Sequence, residues 1–496
     1  MSFNVTIDTS AQAPHGPTTT KRHPSSGISV LIVGAGPVGV YTALECWRKG
    51  HNVRIVERNP AASTQGDSFT VAPQIINHIT KFWPDMAEEN ERISEEPWIS
   101  YYRFNGERVT EPAAFDFGTK NEEGVAVPEA KMRRHFRPKF LKMLISQLQR
   151  LGIEIEYGFR AVDYYETEDG QHAGAIFADG SKIEADVVVA ADGIGTKSYK
   201  AITGHEVRAW SSGWATFRAT VPVDCITSDA EVNERFGVLD NGHPVIQMWR
   251  SKECTMVVYR TKDVVTWGLM HKDKGLAEEN WHKSVEPEQV LEIIAQSPEA
   301  NELPDYAKRL IRAAPSGAIV DWSLLWRNPQ PVTTSPRTGR IVQAGDAAHT
   351  FLPSSGSGVN QGIEDSIYLA SCLQLAAADG AKADVKMATK VYSKLRFERV
   401  SCCQKLGLLN HERRVNIKLA ADASKVKIEY GRWIWKHDPE QYVYDNYTQA
   451  LDHLQHGTPF QNTNIPPGYV HKPWSVDQIM ADIEEGKPVE LEGDWS

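Results

Sequence analysis

Cysteine is scarce in this sequence, and its few copies form no pattern that indicates disulfides or a metal site. The six cysteines among 496 residues are scattered, without a C-x-x-C pair. A reduced, intracellular protein is therefore expected. The H-E-x-x-H and G-x-S-x-G motifs are also missing, which argues against zinc-dependent hydrolases and serine hydrolases. We predict no metal site.

Long apolar runs are absent as well. No window approaches the roughly 20 consecutive apolar residues that a membrane helix requires. The N-terminal MSFNVTIDTSAQAPHGPTTTKRHPSSG has no apolar signal-peptide segment, and the terminal ELEGDWS carries no prenylation or peroxisomal signal. These features predict a cytoplasmic protein without a membrane partner.

Positive charge is in the minority, because 54 Lys and Arg residues face 64 Asp and Glu residues, for a net charge of −10. Nucleic-acid binding through phosphate contacts needs a surplus of Lys and Arg on one face. Nucleic acid is therefore not a predicted partner. The strongest basic run spans residues 131–139, where Arg133 and Arg134 are predicted to form a solvated face.

Alternating strand and helix patterns predict an α/β protein. The β-branched run Ser29–Val33 is followed by a glycine-rich turn, a helix and a second strand at Asn52–Val56, which is a βαβ opening of the Rossmann-like type. Short alternating runs between Thr216 and Lys272 predict an antiparallel-sheet substrate domain. Residues 385 to about 455 are predicted to be mainly helical.

These patterns predict a division of the chain into four parts. They are a mobile leader at 1–27, a discontinuous nucleotide-binding domain at 28–205 and 318–384, a substrate domain at 206–317, and a helical C-terminal region and tail at 385–496.

The turn after the first strand has the G-x-G-x-x-G pattern at Gly34, Gly36 and Gly39, with Pro37 at the start of the helix. Gly34 allows a tight turn, Gly36 lets a pyrophosphate approach the backbone, and Gly39 allows close packing of the helix on the strand. The helix N-terminus favours the phosphate charge. The pattern in this context predicts a dinucleotide site.

An acidic residue stands where such a site needs one. Glu57 ends the second strand, with Arg58 beside it. A carboxylate at this position accepts hydrogen bonds from an adenosine ribose. Both residues are therefore predicted to contribute to cofactor binding.

Two further stretches decide which dinucleotide is bound. Ala191-Asp192-Gly193-Ile194-Gly195 and Gly345-Asp346-Ala347-Ala348-His349 each follow a predicted strand. With the glycine turn, they resemble the three fingerprints of the group A flavoprotein aromatic monooxygenases, the family of p-hydroxybenzoate and salicylate hydroxylases. The run HTFLPSSGSGVNQGIEDS, which begins at His349, is similar to the salicylate hydroxylase branch.

The resemblance implies an FAD-binding domain and an NAD(P)H-dependent monooxygenase. One oxygen atom of O2 would enter an aromatic substrate by hydroxylation, epoxidation or dearomatisation, through a flavin C4a-hydroperoxide. Because a second dinucleotide fingerprint is absent, NAD(P)H is expected as a transient co-substrate. The cofactor supplies the chemistry, while the protein orients the substrate and excludes water. Secondary metabolism is one expected setting.

The resemblance also assigns FAD contacts to individual residues. Asp346 would accept a ribityl hydroxyl, Arg137 would contact the flavin and Asp192 would support the pyrophosphate. Ser68 is a further expected contact, although Gly66-Asp67-Ser68 departs from the small apolar residues usual in the family.

The third fingerprint ends in a predicted helix start at Gly358, Val359 and Asn360. In the family, this helix N-terminus approaches the flavin pyrimidine ring, where the helix dipole stabilises the negative charge of reduced flavin. The Val359 N–H would donate to the flavin there.

Arg218 and Tyr259 are the candidate catalytic residues on the substrate side. Relatives carry an Arg on a strand facing the flavin at the place of Arg218 in WATFRATVP, where it would hold an oxygen of the substrate. A structural Arg packed over Trp214 or Trp210 explains the pattern equally well. Tyr259 could lie near the same oxygen, although core packing is its commoner role. An aromatic pocket could come from Trp210, Trp267, Trp322 and Trp326.

Two alternatives stay open on the sequence. A flavin-dependent halogenase shares the fold, but GWATF at residues 213–217 lacks the second tryptophan of the halogenase motif G-W-x-W-x-I-P. A non-catalytic FAD-binding redox protein is the other alternative. The sequence leaves open the substrate's identity, the choice between NADPH and NADH, and whether the protein is a monomer or a homodimer.

Overall fold

The protein was examined as a computed structural model. It describes residues 18–63, 66–115, 131–251, 254–273, 284–297, 302–377, 384–416, 430–485, 487, 489 and 491–496. In chain order, the strands are β1 (Ser29–Val33), β2 (Asn52–Glu57), β3 (Ser68–Val71), β4 (Ser94–Glu95), β5 (Trp98–Arg103), β6 (Ala113–Ala114), β7 (Arg133–Phe136), β8 (Ile155–Tyr157), β9 (Ala161–Glu166), β10 (Ala173–Phe177), β11 (Lys182–Ala185), β12 (Val187–Ala190), β13 (Trp210–Pro222), β14 (Val245–Arg250), β15 (Thr255–Arg260), β16 (Val264–Lys272), β17 (Ser284–Val285), β18 (Ile319–Trp326) and β19 (Ile341–Gln343).

The helices, in the same order, are α1 (Pro37–Arg48), α2 (Pro73–Phe82), α3 (Pro84–Ile93), α4 (Arg137–Arg150), α5 (Tyr199–Thr203), α6 (Asp224–Thr227), α7 (Ala230–Arg235), α8 (Pro287–Ile294), α9 (Asp305–Arg312), α10 (Gly358–Ala377), α11 (Val385–Asn416), α12 (Arg432–Trp435), α13 (Pro439–His456) and α14 (Val476–Glu484). Short 3-10 helices cover Gly345–Ala347 and Pro353–Ser355.

The nucleotide-binding half is built on a five-stranded sheet with the order β19-β12-β1-β2-β8. All its pairs are parallel. The two central strands are almost continuously apolar and buried, as strands covered on both faces must be. Helices α1, α4 and α10 pack on one face of this sheet. The predicted α/β class with a βαβ opening is confirmed.

The second half is an eight-stranded, mainly antiparallel sheet with the order β17-β18-β13-β16-β15-β14-β5-β6. Its longest strand is β13, which pairs with β16 on one side and with β18 on the other. Two segments predicted to lie in the nucleotide-binding domain belong to this sheet instead. They are β5 with β6, and β18. Strand pairing between segments far apart in sequence decides this membership, and local patterns do not record it.

The C-terminal helices pack on the nucleotide-binding half. Helix α11 lies against α10, and α13 contacts both. Their apolar side chains, such as Leu395 and Val443, join the same core as α1 and α10. The predicted helical C-terminal region is therefore present, and it backs the helix whose start was expected to meet the flavin.

The predicted leader at 1–27 needs a correction in its second part, while residues 1–17 lie outside the described residues. The Thr18 hydroxyl donates to Asp85 Oδ2 at 2.6 Å, and the Arg22 guanidinium donates to the His51 carbonyl at 2.9 Å. Residues 18–27 therefore run along the nucleotide-binding half with fixed contacts, because their polar groups bond the Asp85 side chain of α3 and backbone carbonyls at the end of α1.

Within the part of the chain that the structure covers, no helix combines the length and the apolar character that crossing a bilayer requires.

Candidate active site

The first glycine turn has the geometry that a dinucleotide site needs. Gly34 has a φ of +107°, and a Cβ there would come within 2.4 Å of the Ala191 carbonyl oxygen. A Cβ on Gly39 would come within 1.9 Å of the Gly34 carbonyl oxygen, so only glycine fits either position. A Cβ on Gly36 meets nothing within 4 Å. The turn is therefore closed toward the protein and open on the side of Gly36, with Pro37 beginning the helix.

Glu57 ties the two loops at this edge of the sheet together. Its carboxylate accepts from the Ala35 N–H at 2.9 Å and from the Asn59 N–H at 2.9 Å. A carboxylate has about four acceptor sites, so these two bonds leave capacity for ribose hydroxyls. Arg58 lies beside it with an exposed side chain.

Asp192, in the second fingerprint, is a half-satisfied carboxylate. The Tyr164 hydroxyl donates to its Oδ2 at 2.7 Å, while its Oδ1 is buried and accepts no hydrogen bond from the described residues. Burial raises the pKa of Asp192. A buried acceptor left without a donor fits a site where a ligand supplies the donor.

The loop that carries Asp346 is held in place by hydrogen bonds to Asp365 of helix α10. One oxygen of the Asp365 carboxylate accepts from the Gly345 N–H at 2.9 Å and pairs with His349 Nε2 at 2.6 Å. The other oxygen accepts from Arg396 Nε at 2.8 Å. His349 therefore serves to hold the loop.

Asp346 itself faces the opposite way. Its side chain is accessible to solvent, although Gly345 and Ala347 on either side are buried. Because the cavity wall around the carboxylate displaces part of its water, the pKa of Asp346 is raised, against the opposing effects of His349 and Arg137. The carboxylate thus faces a cavity, where a ligand can reach it.

Helix α10 begins beside this loop at Gly358, after Gly356 adopts a φ of +60°. The first N–H groups of a helix have no acceptor within the helix, and Val359 lies among them. The Asn360 side chain is used by the protein, because it accepts from the Ala72 N–H at 2.9 Å and donates to the Thr70 carbonyl at 3.1 Å. Any FAD contact of Asn360 would therefore come from its backbone.

Arg137 starts helix α4, with Pro138 in the first turn, where proline is favoured. Gly66 lies on its side chain so closely that a Cβ there would come within 2.6 Å of Arg137 Cδ. The Asp67 carbonyl accepts from the Arg137 N–H at 3.0 Å. Burial lowers the pKa of Arg137, and Asp346 acts in the opposite direction. Ser68 follows at the start of β3.

A cavity of about 330 Å³ lies where these elements meet the eight-stranded sheet. Arg137, Asp346 and Ser68 line it from the nucleotide-binding half, and Arg218 and Trp322 line it from the sheet. Apolar side chains complete the wall, namely Phe69, Leu324, Leu325, Phe351, Leu352 and Pro353. The structure thus brings four residues predicted from the fingerprints or the substrate strand to one cavity.

Arg218 projects from β13 opposite Gly268 of β16. Its guanidinium pairs with the Asp67 carboxylate and lies 5.9 Å from the centre of the Trp322 ring. Arg218 therefore lies beside Trp322 and also faces the cavity, and its contact with a substrate oxygen stays a prediction.

Tyr259 is not brought to the cavity. It is 2% exposed, its hydroxyl donates to Glu95 Oε2 at 2.8 Å, and the Arg134 guanidinium lies over its ring. Burial raises the pKa of Tyr259. The structure gives this residue a packing role at the contact between the two halves.

Most of the predicted aromatic pocket is also absent from the cavity wall. Of the four tryptophans proposed for it, Trp322 lines the cavity, whereas Trp267 is fully buried in the core of the sheet. Trp210 and Trp326 pair across β13 and β18 and belong to the same apolar cluster as Trp322, but they do not line the cavity.

The basic run at 131–139 is likewise not a solvated face. Arg133 is 8% exposed and pairs with Glu91. Arg134 donates to the Ser68 carbonyl at 3.3 Å. Both side chains serve packing between segments, which charge patterning alone could not indicate.

Two residues that the sequence did not single out support the site. Arg327 donates to the Asp346 carbonyl at 3.1 Å and also to the Ile194 carbonyl, so it joins the second fingerprint to the third. Arg396 reaches Asp365 from helix α11, about thirty residues further along the chain. No local motif marks either residue.

The residues present fit FAD. Gly36 leaves room at the turn, Asp192 has a buried acceptor without a donor, and Asp346 and Arg137 present charges to the cavity. A dinucleotide with a ribityl chain and a ring system offers the hydroxyls and the anionic edge that these groups bind.

Comparison with known proteins agrees with this geometry. Residues 27–393 match the family of the FAD binding domain. The FAD-dependent monooxygenase fsr3 of Gibberella fujikuroi is 38% identical over 482 residues, which cover 96% of this chain and 91% of the relative. The FAD-dependent monooxygenase dmxR9 of a Cryptosporiopsis species is 39% identical over 487 residues, covering 96% and 91%.

Solved structures show the same fold. CtdE in complex with FAD and a substrate is 28% identical, with a TM-score of 0.75 over 86% of this chain and 99% of that one. A salicylate hydroxylase substrate complex has a TM-score of 0.63 at 21% identity, covering 84% and 97%.

The chain therefore belongs to the FAD-dependent monooxygenases, within the group A aromatic monooxygenase family. It is an oxidoreductase whose cofactor is FAD, as the fingerprints predicted. The comparisons favour neither the halogenase nor the non-catalytic alternative.

Proposed function

We propose that the protein uses NAD(P)H and O2 to insert one oxygen atom into an aromatic substrate bound in the cavity between its two halves. The observation that carries this proposal is the cavity itself, where Arg137 and Asp346 of the cofactor half face Arg218 and Trp322 of the sheet. A cofactor held by the first pair and a substrate held by the second would meet within one space of about 330 Å³.

FAD, when bound, takes electrons from NAD(P)H and activates O2. The residues of this chain hold the reactants around it. Arg137 and Asp346 would hold the cofactor, and the start of α10 would offer its N–H groups and dipole to the negative charge of its ring.

Arg218 orients the substrate. A guanidinium stays charged at any working pH and donates hydrogen bonds in a planar fork. A phenol or carbonyl oxygen that accepts a hydrogen bond from it is held in one position. Trp322, which lies beside this guanidinium, supplies an aromatic surface for the substrate ring.

The apolar wall excludes water. Leu324, Leu352, Phe351 and Pro353 surround the cavity on the sides that carry no charge. Water that reaches the reacting centre diverts the reaction toward hydrogen peroxide, so this wall sets how much NAD(P)H ends in product.

The proposal is tested with the purified protein, which should carry tightly bound FAD. NADPH and NADH are each mixed with it anaerobically, with and without each member of a panel of aromatic compounds, and flavin reduction is followed by stopped-flow absorbance. A substrate is expected to accelerate reduction and to gain one oxygen atom from labelled O2. Failure to bind added FAD, or peroxide as the sole product with every aromatic, would contradict the proposal.

Four further properties of the protein stay predictions. They are a cytoplasmic location, a monomeric or homodimeric state, transient rather than stable NAD(P)H binding, and a role in secondary metabolism. Size-exclusion chromatography with light scattering tests the oligomeric state directly.

A further inference from the structure

An ion pair stands at the substrate side of the cavity, formed by the Arg218 guanidinium and the Asp67 carboxylate. The two side chains are 24% and 14% exposed, and both line the cavity. Arg218 comes from β13 in the sheet, whereas Asp67 precedes β3 in the cofactor half. The pair therefore bridges the two halves at the place where the substrate is expected.

Asp67 is held in this position by its neighbours. Its carbonyl accepts from the Arg137 N–H at 3.0 Å. Gly66, with a φ of +137°, lets the chain pass directly over the Arg137 side chain. On the far side, Trp322 lies 5.9 Å from the Arg218 guanidinium. Both partners are thus fixed by contacts other than the ion pair.

The charges around the cavity balance. Among the described residues that line it, the charged side chains are Arg137 and Arg218 on one hand and Asp67 and Asp346 on the other. Arg137 and Asp346 oppose each other's charge on the cofactor side. Arg218 and Asp67 do so on the substrate side.

This balance matters for what can bind. A carboxylate that leaves water for a half-buried site needs a cation that is not already neutralised. Next to Arg218 it would also approach the Asp67 carboxylate, and like charges brought together disfavour binding. An uncharged oxygen can accept a hydrogen bond from a guanidinium that is already paired.

We propose that Asp67 is a specificity-determining residue, which makes the site select uncharged aromatic substrates with a hydrogen-bond-accepting oxygen and reject aromatic carboxylates. This inference rests on the proposed function, because it concerns the same cavity. Aromatic carboxylates would be rejected because the Asp67 carboxylate repels them, and not because the site lacks a contact for them. The apolar wall of Leu324, Phe351 and Leu352 suits the same class of ligand.

The test compares matched ligands on the FAD-loaded protein. Salicylamide with salicylate, and 1-hydroxy-2-naphthamide with 1-hydroxy-2-naphthoate, differ chiefly in the charge of one group. Binding is followed by the change in flavin absorbance. The wild-type protein is expected to bind at least one amide about tenfold or more tightly than its acid.

Asp67→Asn removes the charge and keeps the shape. It is expected to tighten binding of the acid about tenfold while the amide changes little. Asp67→Glu restores the charge and is expected to restore the preference for the amide. Asp305→Asn removes an exposed carboxylate from helix α9 and should leave the ratio unchanged.

Three outcomes would overturn the inference. They are a wild-type protein that binds either acid as tightly as its amide, a wild-type protein that binds neither amide, and an Asp67→Glu variant that behaves like Asp67→Asn. These binding results do not test the proposed function, which is tested by whether an oxygenated product forms when NAD(P)H and O2 are supplied. A protein that prefers amides but makes no oxygenated product would sustain the inference and contradict the proposed function.

Discussion

The two sides of the cavity are held in place by different means. On the cofactor side, the loop of Asp346 rests on Asp365, which in turn bonds Arg396, and all three supporting contacts are buried. On the substrate side, Arg218 and Asp67 form a partly exposed pair between segments from different halves. The contacts that hold the cofactor side are therefore buried, whereas the ion pair on the substrate side is open to solvent and to a ligand.

The buried contacts of Asp365 and Arg396 belong to a larger network of charged side chains. Glu364 accepts from Arg396 Nη1 at 2.6 Å and from Arg399 Nε at 2.7 Å, and all three side chains are nearly inaccessible. Arg399 also donates to the Trp433 carbonyl at 2.8 Å. Although burial acts to raise it, Arg399 and Arg396 hold the pKa of Glu364 well below its ordinary value. The network joins α10 to the C-terminal helices.

The largest expected effect is on this network. Glu364→Ala removes the carboxylate that two buried guanidinium groups share, and removing one member of a buried pair costs about 3–5 kcal/mol of unfolding free energy. Chemical denaturation measures the loss. Glu156→Ala removes an exposed pair with Arg54 and should cost less than about 1 kcal/mol. If both variants lost the same unfolding free energy, the buried network would stabilise the fold no more than an exposed ion pair does.

The next effect is on the substrate side. Arg218→Ala is expected to keep the FAD spectrum and the fold while product formation falls by about 10²-fold, because loss of positioning alone has that effect. NAD(P)H that is still oxidised should appear as hydrogen peroxide. Product and peroxide are quantified against NAD(P)H consumed. Arg208→Ala, which removes an exposed guanidinium outside the cavity, is the control, and normal product yield in Arg218→Ala would return Arg218 to a packing role.

A smaller effect is expected on the cofactor side. Asp346→Ala removes an acceptor presented to the cavity and should weaken FAD binding by about 1–3 kcal/mol. Titration of the FAD-free protein with FAD, followed by fluorescence, measures the change. Asp305→Ala, on an exposed helix, should bind FAD like the wild type. Unchanged affinity in Asp346→Ala would exclude this residue from the FAD site.

The smallest effect is expected at Tyr259. Tyr259→Phe removes the hydrogen bond to Glu95 but keeps the ring under Arg134, so the unfolding free energy should fall by about 1 kcal/mol. Turnover should change less than twofold, because the ring does not line the cavity. A loss of turnover without a loss of stability would bring Tyr259 back as a catalytic candidate.

The same contrast explains what the sequence could predict. Gly34, Gly36 and Gly39 act within one turn, and Asp192 and Asp346 each lie within three residues of a strand end, so short motifs in the sequence predict the cofactor side. The strand before each motif also predicts its place at the sheet edge.

No short sequence motif predicts the arrangement of the substrate side. Asp67 and Arg218 lie about 150 residues apart, and their pairing follows from how the two halves meet. The membership of β5 and β18 in the large sheet and the contact of Tyr259 with Glu95 have the same origin. Arg396 and Arg399 on α11 look like ordinary helical charges until α10 is seen beside them. Long-range packing decides all of these features.

The most direct test of this account measures two quantities in two variants. FAD affinity, and product formed per NAD(P)H oxidised at saturating FAD, are determined for Asp346→Ala and Arg218→Ala. The account predicts that Asp346→Ala weakens FAD binding and keeps the product yield, while Arg218→Ala keeps FAD binding and loses the yield to peroxide. An Arg218→Ala variant that loses FAD, together with an Asp346→Ala variant that keeps it, would contradict the division of the cavity into a cofactor side and a substrate side.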